Sequence, residues 1–242
     1  MWLPPAAPAA LVLFFHGGFW QAQYDRKHTA TLAAALAKAG FAACTPEFRR
    51  IGQAAGGWPG TFDDVALAVD NLPTVIAETT ARPVPSAVVL SGHSAGGHLA
   101  MWSAARHRLP PSSPWHRPTP VGTGVVALAP VSDLAACHAL ALENRVTDRL
   151  LGGAPDEYPD RYALTDPASL LPLGQPLRIL HGGHDDRVPQ QMSRDYTTRA
   201  LAAGDSVTLD DLPTCGHFEL IDPLSVAWPA VLSAFQSITS PG

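Results

Sequence analysis

The sequence predicts an α/β fold in which a mostly parallel, doubly wound sheet of about six strands is flanked by helices. Short apolar runs rich in Val, Leu and Phe alternate with Ala-rich stretches of helical character, and this alternation is typical of βαβ units. The 242 residues are 46% hydrophobic and 15% charged, which is enough apolar material for one substantial core. We therefore expect a single domain over residues 1–242.

The predicted elements follow one another along the whole chain. Strands are predicted at 10–15, 41–46, 86–91, 124–129, 177–181 and 206–212, and helices at 27–39, 61–78, 95–106, 190–203 and 224–237. Gly40 and Gly204 follow two of these helices, where a left-handed C-cap favours glycine. Between 131 and 176 the alternation lapses into short helical pieces and Pro-containing turns. We interpret that segment as a short cap-like insertion over the carboxyl end of the sheet, where it would help to form a substrate pocket.

Charge and cysteine content exclude several classes of function. The net charge is -5 and the 16 Lys and Arg are scattered, which argues against a nucleic-acid partner. No apolar run reaches the roughly 18 residues of a membrane span, and the run at 11–15 is too short for a signal peptide. We therefore expect a cytoplasmic protein without a membrane partner. Three cysteines without CxxC spacing argue against disulfides and structural zinc, and a homodimer stays an open hypothesis.

The strongest chemical signal is the pentapeptide Gly-His-Ser-Ala-Gly at 92–96, which follows a predicted strand and opens a predicted helix. A serine at such a sharp strand-to-helix turn is lifted above the sheet, and the flanking glycines avoid collisions with neighbouring backbone. A GxSxG sequence alone also occurs by chance in ordinary turns, but the strand before it and the helix after it favour a nucleophile. The candidate nucleophile is Ser94.

A second motif, His-Gly-Gly-Phe-Trp at 16–20, follows the first predicted strand. Acyl transfer through a serine needs two backbone N–H groups that point at the developing oxyanion. One would come from Ala95, and the other from Gly18, with Phe19 as an additional donor, because this loop lies where HGGG-type oxyanion loops lie. The alternative is a glycine turn followed by core aromatics. His16 itself is interpreted as a structural hydrogen-bonding residue.

The remaining two members of a catalytic triad follow in the order acid, then histidine. The segment Gly-Gly-His-Asp-Asp-Arg-Val-Pro at 182–189 places two carboxylates after the fifth strand, and Gly-His-Phe at 216–218 follows the sixth. His217 is the candidate base. Neighbouring acids point in different directions, so only one can face His217; we select Asp185, with Asp186 capping the turn or pairing with Arg187.

Metal and cofactor sites are not predicted. His181, His184 and Asp185 resemble part of a metal-ligand set, but no further ligand is evident and the triad already uses Asp185. The glycine-containing segment at 122–127 leads into a strand instead of following one, so it fails the context that a dinucleotide-binding fingerprint requires.

These motifs together resemble the α/β-hydrolase superfamily over nearly the whole chain. The segments HGGFW at 16–20 and GHSAGGHLA at 92–100 resemble HGGYW and GHSAGAHL of kynurenine formamidases and related small carboxylesterases. The GxxDDxVP segment is similar to that of prolyl-oligopeptidase-type peptidases, whose catalytic Asp is the first of the pair, and this supports Asp185. The resemblance implies a serine hydrolase with an α/β-hydrolase fold that acts on a carboxylic ester or an activated amide.

The expected substrate is a small-molecule ester or amide, held in a partly aromatic pocket. We expect Trp20, Trp58, Phe218 and His93 to contact it, although each aromatic residue also has a core-packing alternative. Two other activities stay open, namely acyl transfer or cyclisation from the same acyl-enzyme, and a prolyl-oligopeptidase-like peptidase. A binding protein without chemistry would show a gap in the triad or the oxyanion loop, and the sequence has none.

Overall fold

Six parallel strands form one sheet in the computed structural model, which describes residues 1–80 and 85–239. The strands are β1 (Leu11–Phe15), β2 (Ala42–Cys44), β3 (Val88–His93), β4 (Gly124–Leu128), β5 (Leu177–Gly182) and β6 (Val207–Leu212). They lie in the order β2-β1-β3-β4-β5-β6, with Leu13 of β1 opposite Cys44 of β2 and Leu90 of β3. Because the strands are parallel, the loops that follow them meet at one edge of the sheet.

Eight α-helices accompany the strands in the described part of the chain. They are α1 (Ala30–Lys38), α2 (Gly60–Thr80), α3 (Ala95–Ala104), α4 (Leu134–Ala139), α5 (Val146–Leu151), α6 (Pro159–Thr165), α7 (Gln190–Ala202) and α8 (Trp228–Thr239). Within those residues, none of the helices has the length and apolar character needed to cross a bilayer.

The predicted fold class is confirmed, and the boundaries of its elements shift by a few residues. The first predicted helix begins as a short 3₁₀ turn capped by the Asp25 carboxylate, which accepts a hydrogen bond from the Lys27 N–H at 2.9 Å. The last helix begins at Trp228 instead of 224. Pro229 suits the first turn of a helix, whereas the preceding segment is held in a turn by the Asp222 carboxylate, which accepts from the Leu224 N–H.

The sheet separates two cores, as a doubly wound fold requires. Side chains of β1 alternate: Leu13 and Phe15 pack in the core that contains α2, α3 and α7, while Val12 and Phe14 pack in the core that contains α1 and α8. All four side chains are buried. Both faces of the central strands are thus covered, which explains why they read as continuous apolar runs.

The turn between β3 and α3 lifts Ser94 above the sheet. Its backbone has φ 58° and ψ -121°, a conformation that L-residues rarely adopt. Surrounding backbone holds it there: the Ser94 N–H donates to the Leu128 carbonyl at 2.8 Å, and the Ser94 carbonyl accepts from the Val131 N–H at 3.2 Å. Gly96 permits the close approach, since a Cβ at this position would lie 2.0 Å from the Phe15 carbonyl oxygen.

The segment 131–176 carries α4, α5 and α6 and is anchored on α3. The Trp102 indole Nε1–H donates to the Leu164 carbonyl, and a ring nitrogen of His98 is bonded to the Thr165 carbonyl, both at 2.9 Å. These bonds fix the end of α6 against α3, the helix that follows Ser94. The segment 131–176 therefore packs against the same helix that holds the turn at Ser94 in place.

Gly96→Ala tests this close approach. The added methyl group would overlap backbone, which must shift, and we expect the free energy of unfolding to fall by on the order of 3 kcal/mol. The control is Gly40→Ala, where a Cβ meets open space but the φ of 98° is unfavourable, so the expected loss is about 1 kcal/mol. Urea unfolding measures both variants, and equal losses would contradict the account.

Candidate active site

Ser94 lies in the wall of a cavity of about 430 Å³ at the carboxyl edge of the sheet. The lining comes from the end of β3, from the loops that follow β1, β3, β5 and β6, from the start of α1, and from the segment 131–176. Its members are Gly18, Phe19, Tyr24, His28, Thr31, His93, Ser94, Glu143, Arg187, His217, Phe218, Ile221 and Asp222. A serine hydroxyl and a histidine ring therefore face the same space.

The His217 ring is held by a buried carboxylate. Its Nδ1–H donates to Asp185 Oδ2 at 2.6 Å, and the Asp185 side chain has no exposed area. Asp186 points away, because its side chain is 76% exposed and lies 3.4 Å from the Arg187 guanidinium. Since Nδ1 carries the proton in this bond, Nε2 of a neutral His217 has a free lone pair. That is the arrangement a general base needs.

The Asp185 carboxyl is ionised in spite of its burial. Burial by itself raises the pKa, but hydrogen bonds from His181 and His217 and from the Val188 N–H outweigh it and bring the pKa well below its usual value. The charge is therefore present wherever His217 could take up a proton. Within the described residues, Ser94 Oγ and His217 are not hydrogen-bonded; such contacts often tighten only when substrate binds.

His93 supports the His217 loop from the turn. Its Nε2–H donates to the His217 carbonyl at 2.9 Å, and the two ring centroids are 4.3 Å apart. Burial, with a further contribution from His217, holds the pKa of His93 well below its ordinary value, so the ring is neutral. We expected His93 to contact substrate; the ring does line the cavity, but it is almost fully buried and its donor is used by the protein.

The loop at 16–20 passes directly over the turn at Ser94. Gly18, Phe19 and Trp20 all have positive φ, of 106°, 48° and 55°, and a Cβ at Gly17 would lie 3.2 Å from the Ser94 Cβ. In the described part of the chain, the backbone N–H groups of Gly18, Phe19 and Ala95 have no hydrogen-bond partner. These are the three N–H groups predicted from the sequence as candidate oxyanion donors, and that role stays a prediction.

The His16 ring links this loop to the segment that follows β2. Its ring nitrogens lie 2.8 Å from the Gly17 carbonyl and 2.8 Å from Glu47 Oε1, and the ring stacks on Phe48 with centroids 4.4 Å apart. The arrangement agrees with the structural role expected for this residue.

The expectation for Trp20 and Trp58 needs correction, because neither lines the cavity. The Trp20 side chain is fully buried in the core and meets the His98 ring edge-on at 5.1 Å. Trp58 packs edge-on against Trp115, also at 5.1 Å. Phe218, in contrast, is 55% exposed and lines the cavity as expected.

Several lining residues were not singled out from the sequence. Arg187 and Asp222 adjoin the acid and histidine motifs, so proximity along the chain could have indicated them. Tyr24 and His28 follow the oxyanion loop, and a Cβ at Gly18 would collide with Tyr24 at 2.3 Å. Glu143 lies in the segment 131–176 and reaches the cavity only through the tertiary fold, so no local sequence pattern predicts its position there.

The chain matches one protein family and is similar to proteins of known structure. A model of the family described as BD-FAE matches residues 2–199. Among solved structures, a truncated form of a carbohydrate esterase from gut microbiota superposes with a TM-score of 0.77 at 23% identity, covering 97% of this chain and 87% of that chain. At this level of identity the likeness shows the fold, which is the α/β-hydrolase fold.

Two curated proteins are similar in sequence. Methylphloroacetophenone synthase of Cladonia uncialis is 26% identical over an alignment of 317 residues, gaps included. The alignment covers 97% of this chain and 12% of that protein. The Probable carboxylic ester hydrolase LipM of Mycobacterium tuberculosis is 27% identical over 237 residues, covering 92% of this chain and 52% of that protein. The chain therefore spans about half or less of the length of these relatives.

Proposed function

We propose that this chain, which belongs to the BD-FAE family of α/β-hydrolase esterases, hydrolyses small carboxylic esters through an acyl-enzyme on Ser94. The observation that carries the proposal is the Asp185–His217 hydrogen bond of 2.6 Å in a cavity whose wall also contains Ser94. The name of the mycobacterial relative, a carboxylic ester hydrolase, supports the same reaction class.

The reaction begins with proton transfer from the nucleophile. His217 Nε2 takes the Ser94 proton as Oγ attacks the carbonyl carbon, and the imidazolium that forms is stabilised by the buried Asp185 charge. His217 then gives that proton to the leaving alkoxide, and the alcohol departs. Water attacks the acyl-enzyme with His217 again as base, and the acid is released from a regenerated Ser94.

The developing oxyanion would be bound by backbone. The N–H of Ala95 and those of Gly18 and Phe19 border the cavity or the nucleophile and have no partner among the described residues. Donors fixed in advance cost no reorganisation during the reaction, which makes such groups the largest single contribution in many acyl-transfer enzymes.

The cavity favours an acyl or alcohol group of moderate size and low charge near the reacting carbon. Phe19, Phe218 and Ile221 supply apolar surface, whereas the charged side chains Glu143 and Arg187 are exposed. Esters fit this environment, and so do activated amides such as the aryl formamides implied by the kynurenine formamidase resemblance. That finer assignment rests on the HGGFW and GHSAGGHLA segments alone.

Acyl transfer to a nucleophile other than water is a second candidate. It is favoured by the Cladonia uncialis relative, whose name is that of a synthase and whose similarity extends over 97% of this chain. The same acyl-enzyme serves both reactions, and only the species that attacks it differs.

Ser94→Ala should remove activity without disturbing the fold. Loss of the nucleophile is expected to lower kcat/KM for p-nitrophenyl butyrate by at least about 1,000-fold. Labelling by a fluorophosphonate, followed by intact-mass measurement, should add one adduct to the wild type and none to the variant. A variant that keeps its melting temperature and also keeps most of its turnover would refute the mechanism.

The two neighbouring carboxylates give a matched pair for the triad acid. Asp185→Asn removes the charge that stabilises the imidazolium and can turn a donor toward His217, so kcat should fall by about 1,000- to 10,000-fold. Asp186→Asn changes an exposed side chain and should leave kcat within about 2-fold of the wild type. The reverse order of the two effects in steady-state kinetics would move the triad to Asp186.

Partitioning of the acyl-enzyme separates hydrolysis from transfer. With p-nitrophenyl butyrate and increasing 1-butanol, a hydrolase should release butyric acid equal to the p-nitrophenolate formed. Chromatographic measurement of butyl butyrate is the readout. If the transferred ester accounts for most of the product at low alcohol concentration, the second candidate is preferred.

A further inference from the structure

The Asp185 carboxylate has more donors than a triad requires. Its Oδ1 accepts from the backbone N–H groups of Arg187 and Val188, each at 2.8 Å. Its Oδ2 accepts from His217 Nδ1 at 2.6 Å and is also 3.2 Å from Nε2 of a second histidine, His181. Three N–H groups thus donate to the carboxylate, and the His181 Nε2–H, which also faces the Val188 carbonyl, lies within reach of Oδ2 as a fourth.

His181 is a fixed and fully enclosed donor. Its side chain has no exposed area, and Nε2 lies between two acceptors, the Val188 carbonyl at 2.9 Å and Asp185 Oδ2 at 3.2 Å. Nε2 therefore carries the hydrogen. On the opposite side of the ring, Nδ1 lies 2.7 Å from the Ser193 hydroxyl of α7, which donates to it when the ring is neutral. Both nitrogens are occupied, so neither is free for a metal ion.

We propose that His181, locked by Ser193, is a positioning residue that sets the orientation of Asp185 and the share of its charge available to His217. The inference rests on the proposed function, because it concerns the same triad. His181 does not reach the cavity and takes no part in proton transfer; it acts through Asp185.

The direction in which the pH dependence should move follows from the competition of two donors, His181 and His217, for Asp185 Oδ2. The bond from His181 stabilises the Asp185 anion and so weakens its attraction for the proton shared with His217. Without that bond the carboxylate would hold the His217 imidazolium more strongly, and a higher pH would be needed to obtain the neutral base. The carboxylate would also lose a restraint on its rotation, which misplaces His217 and lowers kcat.

Several other ionisable groups lie on the elements around this pair. They are His93 and His217 at the cavity, His184, Asp186 and Arg187 in the loop after β5, Arg194 on α7 and Asp211 on β6, where Arg194 and Asp211 form an ion pair of 2.9 Å. Asp211 Oδ1 also accepts from Gln190, whose amide bonds the His181 carbonyl. His217 is the group whose response the test reads; among the described residues, none of the others is hydrogen-bonded to the His181 ring.

The test compares His181→Phe with His181→Gln. Phe fills the space without a donor, whereas the Gln amide nitrogen can replace Nε2–H. For p-nitrophenyl butyrate we expect His181→Phe to lower kcat by about 10- to 100-fold, the ratio for one hydrogen bond to a charged group, with KM nearly unchanged. The acid limb of its kcat/KM profile should move to higher pH. His181→Gln should recover most of both effects.

Ser193→Ala supplies a milder variant in case His181→Phe folds poorly. It removes the hydroxyl that fixes the ring, and we expect a smaller shift of the acid limb in the same direction. Melting temperatures of all three variants separate loss of fold from loss of positioning. An unmoved acid limb in every folded variant, or equal losses in His181→Phe and His181→Gln, would overturn the inference.

Histidine ¹⁵N spectra of the unmodified protein give a readout that needs no substrate. The inference expects His181 to show the Nε2–H tautomer at neutral pH; the Nδ1–H tautomer would overturn it. Fluorophosphonate labelling of the wild type distinguishes the two levels of failure. If the wild type is not labelled, both the proposed function and the positioning role of His181 are refuted. If it is labelled but the acid limb of the kcat/KM profile does not move in the variants, only the positioning role of His181 is refuted.

Discussion

The left-handed backbone at Ser94 is the constraint on which the rest of the site depends. A serine with φ 58° is strained and persists only because surrounding structure over-determines it. Bonds to Leu128 and Val131 on β4 and its following loop hold the turn. The absence of a side chain at Gly96 lets α3 start against the end of β1. The loop at 16–20, which follows β1, is thereby brought against Ser94 by the same packing.

Three histidines lie around this site, and two of them, His181 and His217, contact the buried Asp185 carboxylate. His217 presents a free Nε2 toward the cavity, while His93 holds the backbone of the same loop. His181 lies on the far side of Asp185 and is enclosed by β5 and α7. Burial makes each bond count more than it would in water. The geometry thus concentrates its polar groups around Asp185 and leaves the substrate side comparatively apolar.

Much of this arrangement can be predicted from local sequence. What cannot be predicted depends on tertiary structure. Ser94, Asp185 and His217 each follow the carboxyl end of a strand of a parallel sheet, so their meeting at one edge could be predicted from element order. Trp20 could not be placed, because whether an aromatic ring faces a cavity or a core depends on two consecutive left-handed residues that the motif does not reveal. Glu143 could not be placed without the path of the segment 131–176, and the sequence drew attention to His181 only as part of a possible metal-ligand set, not as a partner of Asp185.

The two adjacent carboxylates show how burial distinguishes chemically identical side chains. Asp185 and Asp186 have the same chemistry and neighbouring positions, yet one side chain is fully enclosed and the other is 76% exposed. In water, the attraction between a carboxylate and an imidazolium is weakened by the high dielectric and by salt. An enclosed carboxylate with its lone pairs occupied keeps its charge and its direction, so the proton affinity of its partner is set by structure. The fold supplies that enclosure at one of the two positions.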